Sequence, residues 1–538
     1  MNSLMDIPAF GLLAAWLLPV ALMLLLAAGC GWLQNPLKLA HCWRIAQRLL
    51  LISMAASAAV GAWLLTESVW SATTRLQDSA RALGLYPDGI SVWMALMVSF
   101  IGWVILRFAD TYLRADPGHQ RFLPWLLVII GSVLVLVFTN HLLILAFAWV
   151  AISLALHHLL TLYQDRPQAR LAAVQKFIVS RLGDGFVFLG VGLLYAEHGT
   201  FILPDIIAQS GAVATNGVYA WWASVALALA AVLKCAQIPF HGWLLRVMEA
   251  PTPVSALLHA GVINLGGFLW LRLFPVFDGF TPGHMILLAV GGTTAVVAVL
   301  TMMTHYSVKH ALAWSTCAQM GFMLFEIGMG AYTLALLHLL AHSVYKAHSF
   351  LASGRTVAVS ATHGFPPAPW QVRFLRAGVC AGVAGVVIVL APQIVQYNPV
   401  LGAVLVLAVG AAVLGIPGGT SPLVAGRLCL LAVALVPGYF LLHLLLGPAL
   451  PDHQPVLLPL AAQWVGWLVV AALLTGTVMT HLSPRYRLVR ALCTHFRHGL
   501  YLDVPFDRVT GFLAARALRA PYALRRVPHH PFRVEDRS

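Results

Sequence analysis

Three of the five lysines in this sequence lie inside or beside long apolar segments, where a charged side chain is costly. Lys234 and Lys346 fall within such segments, and Lys309 lies at the start of another. A lysine removed from water can lose its proton, whereas an arginine stays charged. The buried lysines therefore suit a proton relay. The alternative is that each lysine snorkels to the interface or has a structural partner.

A row of titratable side chains accompanies Lys346. His338, His342 and Lys346 are spaced i, i+4, i+8 and line one stripe of a helix, whereas His348 lies off that stripe. Because histidine titrates near neutral pH, the row predicts a proton wire if water molecules bridge it. A lone histidine in such a segment is more often a core residue with its hydrogen bonds made inside the protein. The proton-wire prediction therefore depends on the regular spacing of the three residues.

Two carboxylates lie near the ends of apolar segments. Asp184 follows Arg181 by three residues, so the two can pair on one helical face, and such a pair is more often structural than catalytic. A carboxylate near a buried lysine can also tune how tightly that lysine holds its proton. Glu326 lies beside Gly328, close to an expected membrane surface. We expect Asp184, Arg181 and Glu326 to modulate the relay.

The composition shows which elements must position these groups. Of 538 residues, 60% are hydrophobic and only 9% are charged, against about 25% charged in soluble domains. The mean hydropathy is +0.86, which excludes an ordinary soluble enzyme and makes the bilayer the solvent. The net charge of +14 comes without any nucleic-acid-binding motif, so no nucleic acid partner is expected. The seven cysteines occur singly, so we expect neither a metal site nor a cofactor in this chain.

The predicted fold is all-α, a polytopic transmembrane bundle of about 14 to 15 spans, each of about 20 residues. The spans are 8–33, 48–66, 89–108, 122–139, 141–163, 177–196, 218–240, 254–275, 284–303, 308–329, 331–353, 375–395, 399–415, 426–447 and 456–480.

Loops rich in Lys and Arg alternate with loops that are poor in them. One rich loop contains Arg166, Arg170 and Lys176. The positive-inside rule then places the N-terminus outside and the C-terminus in the cytoplasm, for a multi-pass protein of the cell inner membrane.

Two further features depart from simple spans. Pro239, Pro251 and Pro253 predict broken helices, which often mark transport sites, although they can also simply end helices at the interface. Residues 1–482 form the predicted transmembrane domain and 483–538 form a basic tail. The tail is expected to lie on anionic lipid headgroups; the alternative is a docking surface for a cytoplasmic partner.

Several segments resemble a known family. KCAQIPFHGWLLRVMEAPTPVSALLHAGVINLGGF at 234–268 and SVKHALAWSTCAQMGFMLFEIGMGAYTLALLHLLAHSVYKAHSFLASG at 307–354 resemble signatures of the antiporter-like subunits of respiratory complex I and of multisubunit cation/proton antiporters. GISVWMALMVSFIGW and RLGDGFVFL also fit, and the resemblance covers roughly 85–360. It implies that Lys234 is the central proton carrier, that Asp184 tunes the route, and that the remaining relay groups are His259, Lys309, His338, His342 and Lys346.

Two departures from that family set the chain apart. Val150 stands where the family carries a Glu that pairs with the channel lysine, and no charge lies between Arg376 and Gln393. Such a divergent member is most similar to the DabB branch, the membrane subunits of two-component complexes that accumulate dissolved inorganic carbon. The resemblance implies a cytoplasmic, zinc-binding DabA-like partner similar to β-carbonic anhydrases, driven by inward flow of protons or Na+.

Two other functions stay open at this stage. The chain can be a proton-translocating subunit of an NADH-quinone oxidoreductase or of a cation/proton antiporter. It can also be a membrane anchor for a soluble enzyme, in which Lys234 and the histidine row only hold helices together. In each case the chain itself is not expected to be an enzyme.

Overall fold

The computed structural model describes residues 7–30, 35–70, 75–163, 167–212, 217–277, 279–305, 307–353, 369–395, 398–417, 419–451, 456–482 and 486–519. The first fifteen helices are α1 (Ile7–Cys30), α2 (Pro36–Trp70), α3 (Arg75–Ala82), α4 (Gly89–Tyr112), α5 (His119–Phe138), α6 (Leu142–Leu160), α7 (Pro167–His198), α8 (Leu203–Ala212), α9 (Val218–Lys234), α10 (Gly242–Arg246), α11 (Thr252–Ala260), α12 (Leu265–Leu273), α13 (Pro282–Thr304), α14 (Val308–Gly328) and α15 (Tyr332–Leu351). Six follow: α16 (Trp370–Leu390), α17 (Pro399–Leu414), α18 (Pro422–Leu446), α19 (Leu460–Leu482), α20 (Arg487–Arg497) and α21 (Val504–Arg519).

The helices enclose two hydrophobic cores. The larger core lies among α1 to α15, and the smaller one forms where α16 to α19 pack on α13 and α14. Helix α14 contributes to both cores on opposite faces, through Met323 to the first and Phe325 to the second. It therefore joins the two halves of the bundle, and polar residues on it lie between them.

The all-α membrane prediction is confirmed. Eleven helices in the described part of the chain are long and apolar enough to cross a membrane, so the protein is a multi-pass membrane protein. Four predicted spans match helices outside this set. Helices α9 and α17 are shorter apolar helices, and α14 and α15 are long but more polar because they carry the predicted relay residues.

One predicted break coincides with a proline and the other does not. Helix α9 ends at Lys234, six residues before the predicted end of its span, Ala236 takes a left-handed backbone conformation (φ 49°), and Pro239 lies within this break.

The other two prolines, Pro251 and Pro253, lie at the start of α11, so they begin a helix and do not interrupt one. The predicted span 254–275 is instead broken further along, into α11 and α12, by Gly261 and the 3-10 turn Val262–Asn264. An interruption at membrane depth leaves backbone groups for water or side chains to satisfy.

The tail folds back onto the bundle as α20 and α21. Thr510 in α21 is buried and accepts a hydrogen bond at 2.9 Å from Gln175 Nε2 of α7. Arg497 Nε donates to the Thr304 carbonyl oxygen at the end of α13, at 3.1 Å. Residues 520–538 of the predicted tail lie outside the described residues, and whether the tail binds lipid or a partner stays a prediction.

A buried ion pair ties the start of α4 to α12. Arg272, 2% exposed, donates from Nη1 to Asp88 Oδ2 at 2.7 Å and from Nη2 to the Tyr86 carbonyl oxygen at 2.9 Å. Replacing Arg272 with Met should lower the free energy of unfolding by about 2 kcal/mol, because the partly exposed Asp88 carboxylate loses its partner. Unfolding in mixed detergent micelles measures the loss.

The matched control is the exposed pair of Arg81 and Asp205, whose side chains are 53% and 45% exposed. Replacing Arg81 with Met should change the free energy of unfolding by less than about 0.5 kcal/mol, because water solvates both charges. Equal losses for Arg272→Met and Arg81→Met would show that burial does not strengthen the Arg272 contact.

Candidate functional site

Lys234 lies at the break after α9 and faces a small internal cavity. Its side chain is partly buried, and its Nζ lies 4.3 Å from the centroid of the Trp149 ring, a cation–π distance. The cavity has a volume of about 20 Å³, which is room for about one water molecule. We call this space, lined in part by Trp149, Lys176, Asp184 and Lys234, the lysine chamber.

Lys176 also reaches the lysine chamber, so its assignment to a cytoplasmic loop is wrong. Helix α7 begins ten residues before the predicted span 177–196, which carries Lys176 into the bundle. The residue is 3% exposed, and its Nζ donates to the Ser153 carbonyl oxygen at 2.5 Å and to the Ser153 hydroxyl at 3.2 Å. The eight-residue spacing from Lys176 to Asp184 puts both on one helical face, a signal that the sequence contained.

The predicted pair of Arg181 and Asp184 forms at the edge of the chamber. Arg181 Nη2 lies 2.7 Å from Asp184 Oδ2 and also donates to Ser153 Oγ at 3.0 Å. Asp184 interacts electrostatically with Lys234 as well. Val150 of α6 occupies the position of the usual Glu, so in this chain α7 brings a carboxylate to the chamber.

The second group of polar side chains lies between α14 and α15. His338 is central at one end: its Nδ1 lies 3.0 Å from Glu326 Oε2 and its Nε2 lies 2.7 Å from Gln319 Oε1. The imidazole thus contacts both oxygens of the Glu326 carboxylate from the neighbouring helix. Glu326 therefore contacts a predicted relay residue directly.

His259 enters the same space from the broken segment. Its ring stacks on Phe350 at 4.4 Å between centroids, and its Nδ1 lies 3.0 Å from Thr316 Oγ1 of α14. Nearby, Asn264 Nδ2 donates to Ser343 Oγ of α15 at 2.6 Å. The interruption between α11 and α12 thus places polar groups against both α14 and α15.

His342 and Lys346 complete the group. Lys346 is fully buried, and its Nζ donates to the Leu312 carbonyl oxygen at 3.1 Å. His342 is 4% exposed, and neither of its ring nitrogens has a hydrogen-bond partner among the described residues. Because buried polar atoms are nearly always hydrogen-bonded, water is the fitting partner for this ring.

These side chains together form what we call the polar seam. Its members are His259, Thr316, Gln319, Glu326, His338, His342 and Lys346. Thr316 and Gln319 were missed at the sequence level, although Leu312, Thr316, Gln319 and Glu326 share one face of α14 through spacings of four, three and seven.

The polar seam opens at its Glu326 end into a cavity between the two halves of the bundle. This space, which we call the distal cavity, has a volume of about 220 Å³. Gln319, Glu326 and His338 line one side, and Leu401, Leu405 and Tyr439 are among the residues on the other. The buried carboxylate and imidazole therefore have space for several water molecules beside them.

The structure does not bring all predicted relay residues together. Leu258, Val262 and Ile263 of the broken segment face the lysine chamber, whereas His259 and Asn264 of the same segment face the polar seam. No chain of direct hydrogen bonds joins Lys234 to His259 among the described residues. Lys309 is exposed at the start of α14 and lies in neither group.

Family models match more than half of the chain in total. One, described as "NADH:quinone oxidoreductase/Mrp antiporter, TM", matches residues 139–365. Another, for the N-terminus of complex I chain 5, matches residues 74–123. The structure is similar to that of the Mrp complex from Dietzia sp. DQ12-45-1b, with a TM-score of 0.58 at 21% identity over 94% of this chain and 60% of that one, which shows a shared fold.

Several curated proteins are more similar in sequence to this chain than that solved structure is. The chain is 35% identical to "Probable inorganic carbon transporter subunit DabB2" of Halothiobacillus neapolitanus over 82% of each chain. It is 43% identical to "Probable inorganic carbon transporter subunit DabB" of Hydrogenovibrio crunogenus, over 59% of this chain and 60% of that relative. It is 34% identical to NADH-quinone oxidoreductase subunit L of Escherichia coli, over 50% of this chain and 44% of that relative.

The polar seam, the lysine chamber and these matches define an antiporter-like membrane subunit related to those of complex I and Mrp antiporters. Within that class, the chain belongs to the DabB family.

Proposed function

We propose that this chain conducts protons inward across the cell inner membrane as the membrane subunit of an inorganic carbon uptake complex. The flow drives CO2 hydration in a cytoplasmic, zinc-binding DabA-like subunit, and the chain itself carries no hydration chemistry. The DabB relatives support the complex, and the antiporter-like family supports ion translocation.

One observation carries the proposal: a lysine amine at a helix break shares a water-sized chamber with a second lysine and a carboxylate. The amine of Lys234 lies over the ring of Trp149 and interacts electrostatically with the carboxylate of Asp184. Charged groups at bilayer depth are costly and mark ion pathways. The second lysine, Lys176, instead donates hydrogen bonds to Ser153.

The proposed route begins at the distal cavity. Glu326 and His338 take up a proton there, and His342 passes it along α15 towards Lys346 and His259. These groups follow one helix face four residues apart, a rise of about 6 Å, and one or two water molecules bridge each step. Lys346, hydrogen-bonded only to a backbone carbonyl oxygen in the described contacts, can donate or hold the proton.

The broken segment then separates the polar seam from the lysine chamber. Its breaks around Gly261 supply carbonyl groups that water can bridge, and the chamber holds the proton on Lys234 between transfers. Lys309 serves as an exit group beside bulk water. The direction follows from the positive-inside rule, which puts the tail and the start of α14 in the cytoplasm and Glu326 towards the outside.

The test is accumulation of labelled inorganic carbon in cells that express the chain with its soluble partner. We expect accumulation well above the external level that collapses when a protonophore is added. A sodium ionophore tests the Na+ alternative, because it should collapse accumulation only if Na+ is the driving ion. Accumulation that persists with both gradients dissipated would contradict the proposal.

The same cells test the main alternative, which rests on the identity to subunit L. An oxidoreductase subunit predicts that deletion lowers NADH oxidation, and an antiporter subunit predicts that deletion lowers salt tolerance. We expect neither change. Zinc analysis of the soluble protein that copurifies with the chain then tests the proposed partner.

A further inference from the structure

The C-terminal tail encloses a large basic cavity that the conduction route does not use. Its volume is about 450 Å³, and it lies between the tail, α10 and the adjoining ends of α13 and α14. We call it the tail cavity; its polar lining residues are Arg246, His305, His310, Arg497, His498 and Asp503. Two guanidinium groups and three imidazoles against one carboxylate make it an anion-attracting space.

The tail is held in place by specific contacts at this cavity. Arg497 is anchored to the end of α13 through the Thr304 carbonyl oxygen. Gly499 has a φ of 59°, and a Cβ at that position would lie 2.9 Å from Trp314 Cζ2. Leu500 and Tyr501 are also left-handed, with φ values of 52° and 59°. Three successive left-handed residues cost free energy and persist where the surroundings impose them, often at functional sites.

The outer surface of the tail indicates what kind of anion enters. On α20, Leu488 is 74% exposed, and on α21 Val509 and Phe512 are 63% and 68% exposed. Apolar side chains on an otherwise basic amphipathic helix favour the interface of a membrane over water. A ligand that meets both the basic cavity and this apolar surface has an anionic head and hydrocarbon chains.

We propose that the tail cavity binds the phosphate headgroup of an anionic phospholipid, with the acyl chains lying along the exposed apolar side chains of α20 and α21. Basic pockets at the cytoplasmic ends of membrane helices are suited to such headgroups. A bound lipid fastens the tail to the ends of α13 and α14, one turn from Lys309. The site shares no lining residue with the lysine chamber or the polar seam.

The binding has an expected pH dependence through His305, which follows α13. Burial lowers the pKa of His305, and the positive charges of His310, Arg497 and His498 lower it further. Arg246 and Asp503 are the other charged groups that face the cavity. A phosphate favours the protonated form of His305, so binding is strongest below the pKa of His305 and weakens as pH rises through it.

The test measures which lipids stay on the purified full-length chain. We re-lipidate it in detergent with equal amounts of phosphatidylglycerol and phosphatidylcholine and count bound lipids by native mass spectrometry. We expect phosphatidylglycerol to be retained about tenfold over phosphatidylcholine, and replacing His305, His310 and His498 together with Gln to lower its retention about fivefold. Retention should also be greater at about pH 5 than at about pH 7, because the lowered pKa of His305 puts its change of charge below the ordinary value of 6.5.

The matched control replaces Arg487 and Arg490, exposed basic residues of α20 that do not line the tail cavity, with Gln. This control removes more formal charge, yet it should leave retention within about twofold. The exposed single variant His310→Gln keeps the test valid if the triple variant misfolds.

Three results would overturn the proposal. One is equal retention of both lipids by the unmodified chain. Another is a larger loss in the Arg487 and Arg490 control than in the histidine variants. The third is full displacement of lipid by inorganic phosphate or by the soluble partner, which would assign the tail cavity to a free anion or to a protein surface.

Discussion

Replacing Lys234 with Met should lower inorganic carbon accumulation by about 100-fold while leaving the complex assembled, because proton-transfer groups contribute rate factors of about this size. Met matches the length and apolar stem of lysine and keeps packing against Trp149, so folding should tolerate it. The substitution removes the amine that, in the proposed route, holds the proton in the lysine chamber. Accumulation per assembled complex is the quantity to measure.

Lys38→Met is the matched control for this change. Lys38 is exposed on α2 and lies outside the lysine chamber and the polar seam, and exposed substitutions usually change free energies by less than about 0.5 kcal/mol, which corresponds to about twofold in rate. If Lys234→Met assembles and accumulates carbon normally, the chain is an anchor and the relay hypothesis fails.

Replacing His338 with Gln should lower accumulation by about 100-fold as well, because it removes the imidazole that contacts Glu326 and Gln319. Gln retains hydrogen-bonding capacity and similar volume but cannot carry a proton at any relevant pH. The same result is expected for Glu326→Gln, since the two groups share one proton-loading site at the distal cavity. The double variant should be no worse than either single variant, because residues that act as a unit are non-additive.

His348→Gln provides the control on the same helix. His348 lies on α15 but off the stripe and is exposed, so accumulation should stay within about twofold of the unmodified chain. If His348→Gln and His338→Gln reduce accumulation equally, the effect comes from destabilising α15. If Glu326→Gln has no effect, protons do not enter the polar seam from the distal cavity.

In each half of the bundle, a charged group that is usual in the family is missing from the sequence. Val150 leaves α6 without the usual carboxylate, and Asp184 of α7 lines the chamber with Lys234 instead. In the second half, α16 carries no charge from Ala377 to Leu390. The Glu326 and His338 contact on α14 and α15 faces that half across the distal cavity. Each cavity therefore has one carboxylate in its wall, Asp184 in the lysine chamber and Glu326 in the distal cavity.

The sequence by itself determined the membrane class, the positions of the helices and the row on α15. These follow from local rules: consecutive apolar residues set span length, and the period of a helix puts His338, His342 and Lys346 on one face. Pro239 likewise marked the break after α9, whereas no proline marked the break at Gly261 between α11 and α12. Each of these properties depends on residues within a few turns of one another.

Only the tertiary structure decided which groups meet. Glu326 contacts His338. Lys176, predicted to lie in a loop, lines the lysine chamber. Lys309 is exposed at the start of α14 and lies in neither polar group. The reason is physical: contacts between helices depend on how each one is rotated and shifted against its neighbours. Close packing over many side chains sets that arrangement, and no short stretch of sequence contains it.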